Sequence, residues 1–329
     1  CHAQFRHDFC LVAPPQTAPL FITADQSYRL WVNGNYVCRG PARGYQAHWP
    51  VDEVDIAAFL RPGQNILAVE AYNPGIGTFQ YIHTGAAGFI CAAQWEDGTR
   101  IHSGRDNWAM RRAPGNRANT ARLSHQMAFQ EDFDAARDDG SWRNSPDFPD
   151  WRLPAFLQWH SATPAGYPPW YEFEERGIPL LREELTAPSA NAAFSVVPEI
   201  PGWDSDTNIA WHCRRELLAA KQWQNRTGAK SASDTFFQIS PADAGYVSVL
   251  NVDFEEIRVG TLILEVENGL GGEIADCCYF QYLEDGVPPD AVPEGAGGIL
   301  ALATRLRMRP GLSRREFLPI MGARYVAIL

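Results

Sequence analysis

The chain has 329 residues, is 45% hydrophobic and 20% charged, and carries a formal net charge of −11. These figures fit a globular protein with a sizeable core, long enough for two ordinary domains. The acidic balance argues against nucleic-acid partners and anionic membrane surfaces, which call for clustered Lys and Arg, and no run of about 18 apolar residues marks a transmembrane helix.

The first residues, CHAQFRHDFCLVAPP, open on Cys and lack the basic-then-apolar order of a signal peptide, so the N-terminus reads as incomplete. A strand-like FCLV follows at once. LFITA (20–24), YRLWV (28–32), NILAVEAYN (65–73) and GFICAAQWEDG (88–98) are short segments rich in β-formers, separated by turns at Asn33-Gly34, Arg61-Pro62-Gly63-Gln64 and Asp97-Gly98. The stretch RLWVNGNYV (29–37) predicts a hairpin, because Asn and Gly tolerate the positive φ that a mirror-image two-residue turn needs. VDEVDIAAFL (51–60) reads as a strand running into one helical turn. Strand after strand at roughly ten-residue spacing points to a sandwich or jelly roll.

Between 144 and 208 the chain is crowded with Pro, Trp and small residues, and regular structure is expected to be sparse. Trp151, Trp159, Trp170 and Trp203 argue that this connection packs through its aromatics, because disordered segments are poor in them. IAWHCRRELLAAKQWQNR (209–226) predicts a short helix with Leu217, Leu218 and Trp223 on its apolar stripe. Strands resume in GYVSVLNVDF (245–254), GTLILEVEN (260–268), EIADCCYFQYL (273–283), ALATRLRMR (301–309) and ARYVAIL (323–329). The expected fold is all-β: two β-sandwich, jelly-roll-like domains over 1–143 and 209–329, joined by the Pro/Trp-rich connection 144–208, with one short helix.

Chemistry-bearing motifs are few. There is no G-x-S-x-G, no H-E-x-x-H and no phosphate loop before a helix, and GLGG (269–272) reads as a turn between strands. Seven cysteines, Cys1, Cys10, Cys38, Cys91, Cys213, Cys277 and Cys278, include no C-x-x-C pair and read as unpaired thiols of a reducing compartment such as the cytoplasm, with no zinc site. Adjacent Cys277 and Cys278 on a strand would face opposite ways. The carboxylate clusters Asp52/Glu53/Asp55, Glu172/Glu174/Glu175, Asp253/Glu255/Glu256 and Glu284/Asp285 read as surface charge and turn chemistry. No cofactor is expected; calcium between sandwich loops is the one ion the fold class allows, and no D-x-[DN]-x-[DN]-G run marks it.

One polar-aromatic constellation stands out. Arg43, Tyr45, His48 and Trp49 fall in the Gly/Pro-rich RGPARGYQAHWPVDE (39–53), and Gln80, Tyr81 and His83 follow in GIGTFQYIHTG (75–85). Sugars suit such surroundings, since their C–H faces stack on rings and their hydroxyls take hydrogen bonds from Arg, His and Gln. These seven are the candidate carbohydrate-binding residues. The structural alternative has Tyr45 and Trp49 closing the sandwich and Arg43 paired with a carboxylate.

Two runs, FITADQSYRLWVNGNYVCRGPARGY (21–45) and HWPVDEVDIAAFLRPGQNILAVEAYNPG (48–75), resemble the N-terminal sandwich of bacterial α-L-rhamnosidases, a galactose-binding-like fold with "VNG" on a hairpin. IPLLREELTAP (178–188), GYVSVLNVDF, ENGLGGEIADCCYFQYLEDG and EFLPIMGARYVAIL (316–329) resemble the segments leading into and forming the second β-domain of that family. The resemblance implies inverting hydrolysis of terminal α-L-rhamnose by a catalytic α/α-barrel that follows the "R-Y-V" strand, here Arg324-Tyr325-Val326, with a rhamnose-containing glycan as substrate. No position of this chain matches that barrel, so no catalytic residue is assigned. The family's Asp-Phe-Gly is replaced by Asp253-Phe254-Glu255, which puts the local turn in question. The segment therefore reads as the non-catalytic accessory region of such an enzyme. The alternatives are a lectin-like carbohydrate-binding module and a structural or interaction protein.

Overall fold

A computed structural model describes residues 1–104, 108–124, 126–146, 170–200, 208–210, 213, 217, 224–230, 235–240, 242–283 and 302–329. The chain divides into two units, one of Cys1–Pro114 with Asp138–Arg182, the other of Gly115–Arg137 with Glu183–Leu329.

The first unit is a β-sandwich. One five-stranded sheet runs in the order β4 (Asn35–Gly40), β3 (Ser27–Val32), β6 (Gly63–Tyr72), β1 (His2–Leu11), β9 (Ala109–Arg112); the other runs β11 (Phe173–Glu175), β5 (Trp49–Asp55), β2 (Pro19–Asp25), β7 (Gly88–Gln94), β8 (Arg100–His102). Alternate residues of both, among them Leu30 and Val32, Leu67 and Val69, and Leu20 and Ile22, meet in one buried core. The hairpin forms as expected: β3 and β4 pair antiparallel, with Asn33 at φ 52 and Gly34 at φ 83. The strand-then-turn reading of 51–60 also holds, since β5 passes into a 3-10 turn at Ala57–Phe59. Of the hairpin aromatics, Trp31 is buried against Trp142, and Tyr36 lies at the edge of that cluster.

The second unit is built on a seven-stranded sheet in the order β10 (Glu131–Asp134), β19 (Ala303–Arg307), β18 (Ile274–Phe280), β21 (Met321–Ile328), β16 (Tyr246–Gly260), β12 (Asn191–Pro198), β13 (Gln224–Thr227). On one face Phe194, Leu250, Cys277, Leu306 and Val326 pack with Leu262 and with Leu264 and Val266 of the ribbon made by β17 (Ile263–Gly269) and β20 (Gly311–Glu316). On the other face Val249, Cys278, Ala303 and Ala327 pack with Ile209, Cys213 and Leu217. The adjacent cysteines thus point to opposite faces, as a strand requires. A two-stranded ladder of β14 (Ala229–Lys230) and β15 (Thr235–Phe236) completes the unit.

Three expectations change. Residues 115–137, read as part of the first domain, belong to the second unit, because β10 pairs in parallel with β19. The connection 144–208 is not a separate linker: Trp170 is buried in the first unit, and β12 runs between β16 and β13 with its Ala192, Phe194 and Val197 buried. Trp151, Trp159 and Trp203 lie outside the described residues. The helix read over 209–226 ends earlier. Ile209, Ala210, Cys213 and Leu217 are helical, but Gln224 already pairs with Phe194 as β13; Leu218 and Trp223 lie outside the described residues.

Buried ion pairs tie the second unit together. Arg305 sits directly opposite Asp276 across β18 and β19, with Nε–Oδ1 of 2.5 Å and Nη2–Oδ2 of 2.6 Å. Asp132 takes both donors of Arg307 at 2.9 Å, and Glu131 accepts from buried Arg315. Removing one partner of such a pair leaves an uncompensated buried charge.

The turn put in question at Asp253–Glu255 is present. Glu255 adopts φ 70 within a register shift between Asp253 and Arg258, and its amide donates to Asp253 Oδ1 at 2.7 Å. Arg324 grips the same carboxylate with two bonds of 2.8 Å, and this holds Asp253 below its ordinary range. Left-handed backbone costs an L-residue roughly 1–2 kcal/mol, which glycine does not incur. Glu255→Gly is therefore expected to raise stability by about 1 kcal/mol in urea unfolding. Asp276→Ala, which strands the Arg305 guanidinium, is expected to lower it by about 3–5 kcal/mol in the same measurement.

Candidate functional site

The candidate residues lie on two loops of the first unit, one after β4 and one after β6. At the start of the first loop Gly40 lies so close to β3 and β5 that an added Cβ would stand 1.9 Å from Asp52 Oδ2 and 2.8 Å from the Tyr28 ring. Asp52, read as surface charge, is instead buried, where it accepts from Tyr28 Oη at 2.5 Å and from Arg176 Nη1 at 2.8 Å. Surface placement fails because its position on β5 faces inward. Burial and the neighbouring Asp52 together push the Tyr28 hydroxyl far above its ordinary range.

Beyond Gly40 the chain makes a tight turn in which the His48 amide donates to the Tyr45 carbonyl at 2.9 Å. That turn throws Tyr45 and His48 outward and Gln46 inward. Tyr45 is 75% exposed, Arg43 is exposed, and His48 Nδ1 lies 3.3 Å from Glu172 Oε2 with both groups in solvent. An ion pair so exposed contributes little. Trp49 opens β5 and is 2% exposed, its Nε1 donating to Thr23 Oγ1 at 2.9 Å.

The second loop repeats the arrangement. The Thr78 amide donates to the Tyr81 carbonyl at 2.8 Å, which leaves Phe79 and Gln80 at the tip, Phe79 81% exposed, and turns Tyr81 inward. His83 is half-buried, with Nδ1 3.4 Å from the Tyr81 hydroxyl.

Two devices join the loops. Buried Gln46 donates through Nε2 to the Ile82 carbonyl. Beneath, Trp49, Tyr81 and Trp170 form one buried aromatic cluster, the two indoles 6.2 Å apart between ring centroids. Trp170 arrives on a strand-like strap fixed by the Tyr171 amide on the Gln46 carbonyl, by the Trp49 amide on the Glu172 carbonyl, and by the parallel pairing of β11 with β5.

The seven candidates therefore divide. Arg43, Tyr45, His48 and Gln80 are presented to solvent, His83 stands at the margin, and Trp49 and Tyr81 are the base on which the loops rest. The structural alternative holds for Trp49 and not for Tyr45. Sequence reasoning missed Phe79, which lies within the quoted GIGTFQYIHTG and whose exposure no local pattern announces. It also missed Gln46, Asp25 and Asn73. The last two meet Tyr81: Asn73 Nδ2, within the same loop, lies 3.1 Å from the Tyr81 hydroxyl, and Asp25 faces it from β2, where burial raises the Asp25 carboxyl to about 6. Among the described residues no group of three or more His, Cys, Asp or Glu side chains has the geometry to hold a metal ion.

No family model and no curated protein matches the sequence. Solved structures do. The GH78 family rhamnosidase of Bacillus sp. GL1 aligns with a TM-score of 0.69 at 18% identity over 99% of this chain and 51% of its own. The α-L-rhamnosidase from Dictyoglumus thermophilum aligns at 0.59 and 16% over 100% of this chain and 30% of its own. The Streptomyces avermitilis α-L-rhamnosidase complexed with L-rhamnose aligns at 0.55 and 18% over 99% and 26%. The chain has the fold of part of these rhamnosidases and spans about half their length or less.

The split between base and surface has a direct consequence. Trp170→Ala empties the centre of the aromatic cluster and is expected to cost about 3–5 kcal/mol, with faster proteolysis of the 170–176 strap. Tyr45→Ala, which removes no buried contact, is expected to stay within about 0.5 kcal/mol of the parent in the same unfolding assay.

Proposed function

We propose that this chain is the β-sandwich accessory region of an α-L-rhamnosidase-like glycoside hydrolase, and that its two loops hold a rhamnose-containing glycan for a catalytic α/α-barrel carried elsewhere in the full-length protein. The likeness of the fold to rhamnosidases over nearly the whole of this chain, and over half or less of theirs, supports the first part. The observation that carries the second is the exposure of the Tyr45 and Phe79 rings on loops joined by Gln46 and braced by buried Trp49, Tyr81 and Trp170.

The chemistry fits a sugar. Loops braced from below have little backbone freedom left to lose on binding, and the exposed rings offer their faces for stacking against apolar C–H faces. Arg43, His48 and Gln80 supply donors for hydroxyls around those rings. Asp25, buried beneath Tyr81, is out of reach of an external glycan. In this reading the loops bind and orient, and hydrolysis is left to a carboxylic acid and a carboxylate roughly 6.5–9.5 Å apart in the barrel, as inversion requires.

Calorimetric titration of this chain with rhamnosyl oligosaccharides, beside p-nitrophenyl α-L-rhamnoside turnover by the chain and by the full-length gene product, tests the proposal. Binding without turnover by the chain, and turnover by the full-length product, is the expected result. Tyr45→Ala and Phe79→Ala are each expected to weaken binding about two- to tenfold, the range of a lost aromatic contact. Turnover by this chain alone would sink the non-catalytic assignment. A full-length product that binds rhamnosides and never cleaves them would make the protein a lectin-like module instead, and binding unchanged in both variants would remove the loops from the account.

A further inference from the structure

Asp25 closes β2 and is 1% exposed, yet its environment is only half made for a charge. Asn73 Nδ2 donates to the Asp25 backbone carbonyl at 3.2 Å and approaches Oδ2 at 3.4 Å, while Oδ1 has no hydrogen-bond partner among the described residues. The titratable groups around it are few. Tyr81 faces the carboxylate from the second loop, with His83 Nδ1 on the far side of the Tyr81 hydroxyl at 3.4 Å. The Cys1 nitrogen, next to the strand on the other side, donates to the Asn73 carbonyl. No Arg or Lys among the described residues pairs with Asp25. A carboxylate buried with one oxygen unpaired is costly when ionised and is relieved by a proton or by water.

What stands between Asp25 and water is the second loop. Asn73 begins it, Tyr81 turns inward from its far arm, and Gly75, Phe79, Gln80 and Ile82 are exposed between and beside them. We propose that Asp25 is a proton-operated latch for the loop over residues 73–87: protonated, it holds the loop down on the sandwich through Asn73 and Tyr81, and ionised, it favours an open loop that lets water reach Oδ1. Protons and hydrogen bonds balance in both states. A neutral Asp25 gives its hydrogen to the Tyr81 oxygen, which still accepts from Asn73 and passes its own hydrogen to His83 Nδ1. An ionised Asp25 takes the Tyr81 hydrogen, and His83 donates from Nδ1 instead. Half-buried His83 is the route by which the proton reaches solvent.

The direction follows from linkage. In the closed loop burial raises Asp25 from 3.8 to about 6; with the loop open and the carboxylate hydrated the ordinary value returns. The closed state binds the proton more tightly, so closure strengthens as pH falls from about 6 toward 3.8 and no longer changes with pH well above 6, where Asp25 is ionised in both states. Between pH 7.5 and pH 5 the open-to-closed ratio falls about tenfold. The latch does not rest on what the loops bind, although Phe79 and Gln80 ride on the segment it governs.

Amide hydrogen exchange over residues 74–85, corrected for intrinsic rates and read by mass spectrometry at the two pH values, tests it. The parent chain is expected to show about tenfold less opening at pH 5. Asp25→Asn, neutral at every pH, is expected to be closed at both. Equal opening of the parent loop at the two pH values would overturn the latch, as would the full pH effect persisting in Asp25→Asn. If that variant fails to fold, a carbon-13 titration of the Asp25 carboxyl in the parent decides: a midpoint near 6 upholds the latch, and one near the ordinary aspartate value ends it.

Discussion

Trp49 and Trp170 pack under two loops of the first unit with Tyr81 beside them, and the exposed end of the sandwich takes its form from that contact. Each residue of the cluster reaches it from a different direction: Trp49 from the start of a core strand, Tyr81 from the inward arm of a loop, Trp170 from a strap that returns after a long excursion in sequence. Burying rings of this size is worth several kcal/mol. That is enough to fix a turn whose alternate residues must then point outward. Tyr45, His48, Phe79 and Gln80 are exposed because Gln46, Trp49 and Tyr81 are not. The loops owe their shape to their buried members, and their surface chemistry is free to vary without disturbing it.

The same division runs through the charged residues. Asp52, Glu70, Asp132, Asp276 and Glu131 sit at inward or cross-strand positions, and each is met by an arginine: Arg176, Arg29, Arg307, Arg305 and Arg315 respectively. The planar fork of arginine can satisfy a carboxylate in two places at once, which offsets the loss of water that burial imposes. Two buried carboxylates have no arginine against them among the described residues: Asp138 accepts from Gln4 Nε2 and from the Gly140 amide, one at each oxygen, whereas Asp25 has an amide and a phenol for company and leaves Oδ1 without a partner. A buried carboxylate with one oxygen left unpartnered is where a pH response would concentrate, because nothing offsets the cost of its charge.

Much of the fold was legible because strands and hairpins write themselves locally. Asn33-Gly34 between two apolar arms, the alternation of Leu262, Leu264 and Val266 with glutamates, and the opposed faces of Cys277 and Cys278 are each set by residues within a few positions of one another. β12 was not legible. Its segment lies among prolines, and it becomes a strand by pairing with β16 about fifty residues later. β10 was missed for the same reason, since its partner β19 follows it by more than 170 residues. The site divides along the same line: the loops and their polar-aromatic composition were visible, whereas the inward turn of Trp49 and Tyr81, the reach of Gln46 to Ile82 and the burial of Asp25 depend on contacts that no spacing encodes.

Glu255 shows how a backbone feature can be held by side chains around it, in a chain that keeps its fold at 16–18% identity to solved rhamnosidases. A left-handed residue is needed there for the chain to step between two registers on β21, and glycine would adopt it without strain. The turn holds a glutamate because Asp253 accepts the Glu255 amide and Arg324 holds Asp253 in place, so two side chains fix what a glycine would adopt without strain. Backbone geometry is over-determined by pairing, register and core, and tolerates such exchanges at about a kcal/mol each. A loop that touches ligand has no such redundancy, since its exposed residues are supported by nothing but the turn beneath them. The function of this chain must therefore be argued from Arg43, Tyr45, His48, Phe79 and Gln80 as they stand here, on the aromatic base that presents them.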